Sequence, residues 1–238
     1  MPTPVKTAAV RIADGPALLD GDLHVPDACI GLVIFAHGSG SSRFSPRNRQ
    51  VAAALESAGC ATLLLDLLTR EEEAADVRTG QYRFDIPRLA RRVIAAASWA
   101  SEDRELRDLN IGYFGASTGA AAALIAAAGR PDISVAVVSR GGRPDLAGDA
   151  LSVVQAPTLL IVGGDDRAVI TLNEDAKRRM QAIARLEIVP GATHLFEEPG
   201  ALEQVQRLAV DWFREYLPHH SARTGAVDML DGVAPGEK

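Results

Sequence analysis

The stretch Leu109-Asn110-Ile111-Gly112-Tyr113-Phe114-Gly115-Ala116-Ser117-Thr118-Gly119-Ala120 decides how this chain folds. Its first six residues read as a strand, and the Ala-rich run Ala120 to Ala128 reads as a helix. Between them stands Gly115-x-Ser117-x-Gly119. A serine on so sharp a strand-to-helix turn must take a strained backbone conformation, which only small neighbours tolerate. The two glycines and Ala116 leave that room. The turn would lift Ser117 above the sheet at a helix N-terminus, where peptide dipoles favour developing negative charge. Strand, G-x-S-x-G and helix together are the requirements of a nucleophile elbow.

Outward from this elbow, strands alternate with helices. Upstream, Val5 to Ile12 and Ala17 to His24 read as two strands around a turn at Asp14-Gly15-Pro16. Ile30 to Ala36 and Ala61 to Asp66 read as strands buried on both faces. Between these two, Ser45-Pro46 has the form of an N-cap and first helical residue, opening a helix to about Ala58. Leu67 to Tyr82, with Glu71, Glu72, Glu73 and Asp76, has no clear period and reads as a loop with one helical turn, a possible lid. Asp85 to Trp99 reads as an amphipathic helix with Arg88, Arg91 and Arg92 on its polar side.

Downstream come a strand, Ile133 to Ser139, a short helix over Pro144 to Val153, and a strand, Thr158 to Val162. A helix over Thr171 to Ala184, a strand over Arg185 to Val189 and a last helix over Gly200 to Leu217 follow. The alternation predicts an α/β fold: a mostly parallel sheet with helices on both faces, in one domain over residues 1–217. Residues 218–238 turn small and polar and are expected to form a mobile tail.

Composition narrows the function classes. The chain has 238 residues, enough for a substantial core in one domain. A net charge of −6 disfavours general nucleic-acid binding. Two cysteines, Cys29 and Cys60, make neither a disulfide framework nor a metal cluster and read as reduced structural thiols. The segment Met1 to Asp14 lacks the apolar core of a signal peptide, and no apolar run approaches the ~20 residues of a membrane span. A cytoplasmic protein without metal or cofactor is expected.

A serine hydroxyl is a weak nucleophile; it needs a base, and the base needs an acid to orient it. In this type of fold the order along the chain is nucleophile, acid, base. Of the histidines after Ser117, His219 and His220 fall in the expected tail. His194, in Pro190-Gly191-Ala192-Thr193-His194, follows a strand directly and is the expected base. Asp165 and Asp166 both end the preceding strand; the spacing Gly163-x-x-Asp166-x-x-Val169 favours Asp166 as the acid. The tetrahedral intermediate needs two N–H donors. Thr118, after the nucleophile, should supply one; Ser39 or Gly40, in the loop His37-Gly38-Ser39-Gly40-Ser41-Ser42, should supply the other. His37 is expected to organise that loop.

With these residues assembled, the chain resembles the α/β-hydrolase superfamily, and in particular its small dienelactone-hydrolase-like members. The motifs carrying the likeness are His37-Gly38-Ser39-Gly40, Gly115-Ala116-Ser117-Thr118-Gly119, Gly163-Gly164-Asp165-Asp166 and Gly191-Ala192-Thr193-His194, from about Ile30 to Leu217. The resemblance implies an eight-stranded sheet with a single antiparallel strand and a triad of Ser117, Asp166 and His194. Dienelactone hydrolases proper use a cysteine nucleophile where this chain has Ser117, so a general carboxylic-ester or lactone hydrolase is the expectation. Some relatives are fused to phosphoribosyltransferase domains, for which these 238 residues leave no room. No long insertion follows the strand Ile133 to Ser139, where larger members carry a helical cap, so a shallow site for small acyl groups is expected.

Arg140 and Arg143 lie on the loop after that strand, and either could bind a substrate carboxylate as a planar fork. The plainer reading makes these arginines and Arg43, Arg47 and Arg49 solvated, with one salt bridge to the Glu71 to Glu73 segment. The alternatives in function are a non-catalytic ligand-binding protein of the same fold and an acyltransferase. A phosphoribosyl-diphosphate site at Val162 to Asp166 is weaker, because Arg167-Ala168-Val169-Ile170 lacks a small phosphate-binding loop.

Overall fold

The computed structural model describes residues 5–218. The tail expected after residue 217 lies, apart from Pro218, outside the described residues, as do His219 and His220.

Eight strands form one sheet in the order β1-β2-β4-β3-β5-β6-β7-β8. They are β1 (Val5–Asp14), β2 (Ala17–Pro26), β3 (Leu32–Ala36), β4 (Ala61–Leu65), β5 (Ile111–Ala116), β6 (Ser134–Arg140), β7 (Thr158–Gly163) and β8 (Ala184–Val189). The strand β2 runs against both its neighbours, β1 and β4; every pairing from β4 through β8 is parallel. The sheet therefore has the single antiparallel strand that the resemblance implied.

Continuous apolar runs make β3, β4, β5 and β7 buried at every position, as a parallel sheet covered on both faces requires. The pleat sorts β3 between two cores. Leu32, Ile34 and Ala36 join the core under α3 (Ile86–Glu102) and α4 (Thr118–Gly129). Val33 and Phe35 join the core under α1 (Pro46–Ser57) and α6 (Ala201–Tyr216), where the Phe35 and Phe114 ring centroids lie 5.0 Å apart. Between β6 and β7 stands only a 3-10 segment, Pro144–Ser152, so no cap domain covers the strand ends.

Two segments depart from the sequence expectation. Arg70–Thr79 is a full helix, α2, rather than a loop with one turn. Its capping box is complete: the Thr69 hydroxyl accepts from the Glu72 N–H and the Glu72 carboxylate accepts from the Thr69 N–H. Glu71, Glu72 and Glu73 lie in the positive first turn and Gly80 closes the C-terminus in the left-handed region. The helix shows no apolar period because charges hold it: Glu72 receives Arg88 at 2.8 Å and the almost wholly buried Arg92 at 2.6 and 2.7 Å. Burial alone would raise the Glu72 carboxyl; these guanidiniums and the Thr69 N–H overcome it and hold it low. The acidic segment thus pairs with α3, and not with Arg43, Arg47, Arg49, Arg140 or Arg143.

The second departure is α5, which spans Arg167–Arg179 and so begins four residues before Thr171. Val169 and Ile170 resemble strand residues, but the backbone turns immediately after Asp166, which is the N-cap. Among the described residues no helix is long and apolar enough to cross a membrane. Cys29 and Cys60 are unpaired, and burial pushes the Cys60 thiol up to about 12.

Candidate active site

The elbow sits where β5 becomes α4. Ser117 has φ 51° and ψ −121°, one of two non-glycine residues with positive φ among those described. Its neighbours explain how the strain is tolerated. A Cβ at Gly115 would lie 2.4 Å from Ala120 Cα, and one at Gly119 would lie 2.2 Å from the Ala36 carbonyl oxygen. Only hydrogen fits at either position. The turn is also laced to the β6 loop: Ser117 N–H donates to Arg140 O at 3.2 Å and Arg143 N–H donates to Ser117 O at 3.0 Å.

The ends of β7 and β8 bring two further predicted residues together. His194 Nδ1 lies 2.6 Å from Asp166 Oδ2. Asp165 is instead exposed, and its backbone N–H donates to Ala192 O. Geometry thus separates two adjacent carboxylates that spacing could only rank. Gly163 lets the β7 end press against this histidine loop, since a Cβ there would meet Ala192 O at 2.3 Å. The imidazole Cε1 lies 3.5 Å from where a Cβ of Gly141 would stand, one residue past the carbonyl that holds Ser117. The ring therefore stands beside the loop after β6 to which the elbow is bonded, and Ser117 makes no side-chain hydrogen bond to it.

The histidine loop is held by contacts that the sequence reading passed over. Phe196 is buried with φ 56°, the other strained residue, and follows a turn closed by Phe196 N–H to Thr193 O. Thr193 Oγ1 donates to Glu198 at 2.6 Å, and Glu197 accepts from Arg47 at 2.8 Å. No spacing rule signals a phenylalanine in this conformation.

The loop after β3 closes over Ser117. At Gly38 a Cβ would stand 3.0 Å from Ser117 Cβ. His37 is buried and bridges two segments: Nδ1 donates to Gly38 O at 2.9 Å, and Nε2 accepts from Leu67 N–H at 3.0 Å. Burial lowers its pKa against weaker opposing effects, so the ring is a neutral organiser of the loop. Ser39 N–H donates to Thr118 Oγ1 at 3.0 Å. Beyond the loop, Ser39, Gly40, Leu68, Val77 and Arg83 help line a cavity of about 280 Å³.

The arginines separate sharply. Arg143 is clamped by both Asp145 oxygens at 2.8 and 2.7 Å, which occupies the fork expected for a substrate carboxylate. Arg43 pairs with Asp66 and Asp22, and Arg49 with Asp22. Arg140 continues the row Ala136–Val138 toward the α1 and α6 face and is 8% exposed. Its Nε and Nη1 are buried with no hydrogen-bond partner among the described residues. Burial, and then the charge of Arg47, push its guanidinium down to about 10. Among the described residues no cluster of His, Cys, Asp and Glu is arranged to hold a metal.

Comparison with known proteins places the chain in a family. Residues 19–217 match the dienelactone hydrolase family. The chain is 57% identical to a dienelactone hydrolase from Anabaena variabilis, with a TM-score of 0.88 over 90% of this chain and 99% of that one. Est1E from Butyrivibrio proteoclasticus has the same fold at 18% identity, with a TM-score of 0.73 over 87% of this chain and 98% of that one. Two Mycobacterium tuberculosis proteins (strains CDC 1551 and H37Rv), each named "Putative phosphoribosyl transferase", are 55% identical over 215 residues, 90% of this chain. The chain spans 47% of the length of those two relatives.

Proposed function

The chain belongs to the dienelactone hydrolase family, and we propose that it is a serine hydrolase that cleaves carboxylic esters or lactones of small acyl groups. The observation that carries this reading is the 2.6 Å Asp166–His194 contact, in a chain that also holds a serine at φ 51° on a strand-to-helix turn. A carboxylate that accepts from Nδ1–H leaves Nε2 unprotonated, which is the tautomer a general base needs.

Ser117 Oγ attacks the carbonyl carbon as its proton passes to His194 Nε2. A C–O bond forms, and the carbonyl π pair moves to oxygen. Thr118 N–H, on the first residue of α4, faces that oxyanion from the helix N-terminus. When the oxyanion collapses, the bond to the leaving alkoxide breaks and His194 returns the proton to it. Water, deprotonated by the same nitrogen, then releases the acid from Ser117. The open strand ends and the cavity beside Ser39 and Gly40 suit small substrates. Arg140, charged and unpartnered, suits an acyl or alcohol part that carries a carboxylate; Arg143 is already satisfied by Asp145. Gly163, the Asp165 N–H and the Asp166 carboxylate are all committed to the histidine loop, which disfavours a phosphoribosyl-diphosphate site there.

The test is labelling with a fluorophosphonate, read by intact mass and peptide mapping. One adduct on Ser117, abolished or slowed at least tenfold in His194→Ala, is expected. Absence of an adduct on folded protein would point instead to a non-catalytic ligand-binding protein.

A further inference from the structure

We propose that the hydroxyl of Thr118 is itself an oxyanion-hole donor, a catalytic side chain that stands in place of the Ser39 N–H as the second donor beside the Thr118 N–H. This rests on Ser117 being the nucleophile. By its place after β3, the Ser39 N–H is the natural second donor. In the structure it is already engaged, donating to Thr118 Oγ1 at 3.0 Å. A hydroxyl offers one proton and two lone pairs. The Ser39 N–H occupies a lone pair, so the proton remains, and no described residue accepts it. Thr118 is 4% exposed, so bulk water is largely excluded from it.

Position makes this proton useful. Thr118 follows the nucleophile directly and opens α4. The loop bearing Ser39 touches the elbow, since a Cβ at Gly38 would lie 3.0 Å from Ser117 Cβ and 3.1 Å from Ala116 O. Ser39 N–H, Thr118 Oγ1 and Ser117 are therefore neighbours in one enclosed spot. The oxyanion created there is an acceptor that the resting site lacks. The Thr118 O–H donates to it while still accepting from Ser39, and that second bond polarises the hydroxyl. No proton is transferred; the hydrogen bond alone stabilises the charge.

The competing arrangement makes the opposite prediction. If Ser39 N–H leaves Thr118 to serve the oxyanion directly, the hydroxyl merely occupies that donor at rest, and removing it would cost nothing or speed the reaction.

The experiment compares wild type, Thr118→Val and Thr118→Ser on an activated small ester, with the inhibition constant of an aryl trifluoromethyl ketone, whose adduct carries the oxyanion. The expected result is a kcat about 10²–10³-fold lower for Thr118→Val, with KM within about threefold. Ketone affinity should fall in parallel, and Thr118→Ser should recover both. An unchanged or higher kcat in Thr118→Val overturns the proposal. So does a loss that serine fails to rescue, or one that leaves ketone affinity intact, since either marks a structural role. Fluorophosphonate labelling of wild-type Ser117 is run alongside: if Ser117 does not label, the nucleophile assignment fails, whereas labelling with an unaffected Thr118→Val removes only the hydroxyl's role.

Discussion

Replacing Asp166 by Asn tests the acid–base pair with almost no change in shape. In the native site Asp166 Oδ2 accepts from His194 Nδ1 at 2.6 Å, with side chains 16% and 39% exposed. An asparagine there can present its NH₂ to Nδ1 instead. The imidazole then carries its proton on Nε2, the atom that should receive one from Ser117. In serine–histidine–aspartate sites this inversion costs ~10⁴ in kcat, or about 5.4 kcal/mol of barrier at ~1.36 kcal/mol per factor of ten. Partial exposure here lets water compete for the imidazole, so a loss of about 10³–10⁴ is expected. Asp166 is the N-cap of α5 but makes no side-chain cap bond, so the substitution removes no cap and the thermal midpoint should hold. Asp165→Asn is the matched control, since that side chain is exposed and only its backbone is engaged; it should keep kcat within about twofold. The assay is steady-state hydrolysis of a chromogenic acetyl ester near neutral pH, with the melting temperature of each variant. If Asp166→Asn keeps more than a tenth of the activity, or if Asp165→Asn is the variant that loses it, the triad assignment is wrong.

Two further outcomes follow from buried charge. The Arg140 guanidinium is held at about 10 against an ordinary 12.5, a cost on the order of 3 kcal/mol in the folded state. Because the folded value is the lower one, that cost is present in full below pH 10 and is relieved only as pH rises from there toward 12.5. Arg140→Met should therefore raise urea stability at pH 7.5 by about 1–3 kcal/mol, while abolishing an expected preference of about 10- to 100-fold for a carboxylated ester over its neutral isostere. A destabilised variant, or equal wild-type rates on the two esters, would defeat the argument. His37 is kept neutral by burial, so its folded pKa is below the ordinary 6.5. As pH falls through 6.5 the unfolded chain takes up a proton that the folded protein refuses, and this part of the stability is lost toward acid. The urea midpoint of His37→Gln should fall less between pH 7.5 and pH 5 than that of wild type; parallel losses would show that the ring protonates freely.

What the sequence made legible depended on how far apart the deciding residues stand. The elbow could be read because its signature is local: Gly115 and Gly119, both within two positions of Ser117, must lack side chains, even though the carbonyl that Gly119 passes, that of Ala36, comes from β3. The mostly parallel sheet could be read from the alternation of strands and helices, and its covered centre from the largely apolar β3, β4, β5 and β7, which are buried at every position. The helix α2 was opaque for the opposite reason. What orders it is Glu72 reaching Arg88 and Arg92, 16 and 20 residues away, and a charge pattern says nothing about its partner until the chain has folded. The same holds for Asp165 and Asp166, chemically identical in sequence and separated only by which one meets a histidine 28 residues on.

Arg140 and Arg143 show where closer local reading would have succeeded. Arg143 had its partner two residues away, in Asp145, within reach of its own fork. Arg140 is on the parity of Ala136 and Val138, so strand alternation alone already directs it inward, toward the apolar face under α1 and α6. An arginine sent into a core by the pleat must find an anion or keep its charge at a cost. Among the described residues the charged group acting on Arg140 is a second cation, Arg47, whose own charge is met by Glu197. One positive charge is therefore left over beside the carbonyl that holds Ser117. The fold gains nothing from it, which is why the substrate is the natural place to look for the missing negative charge.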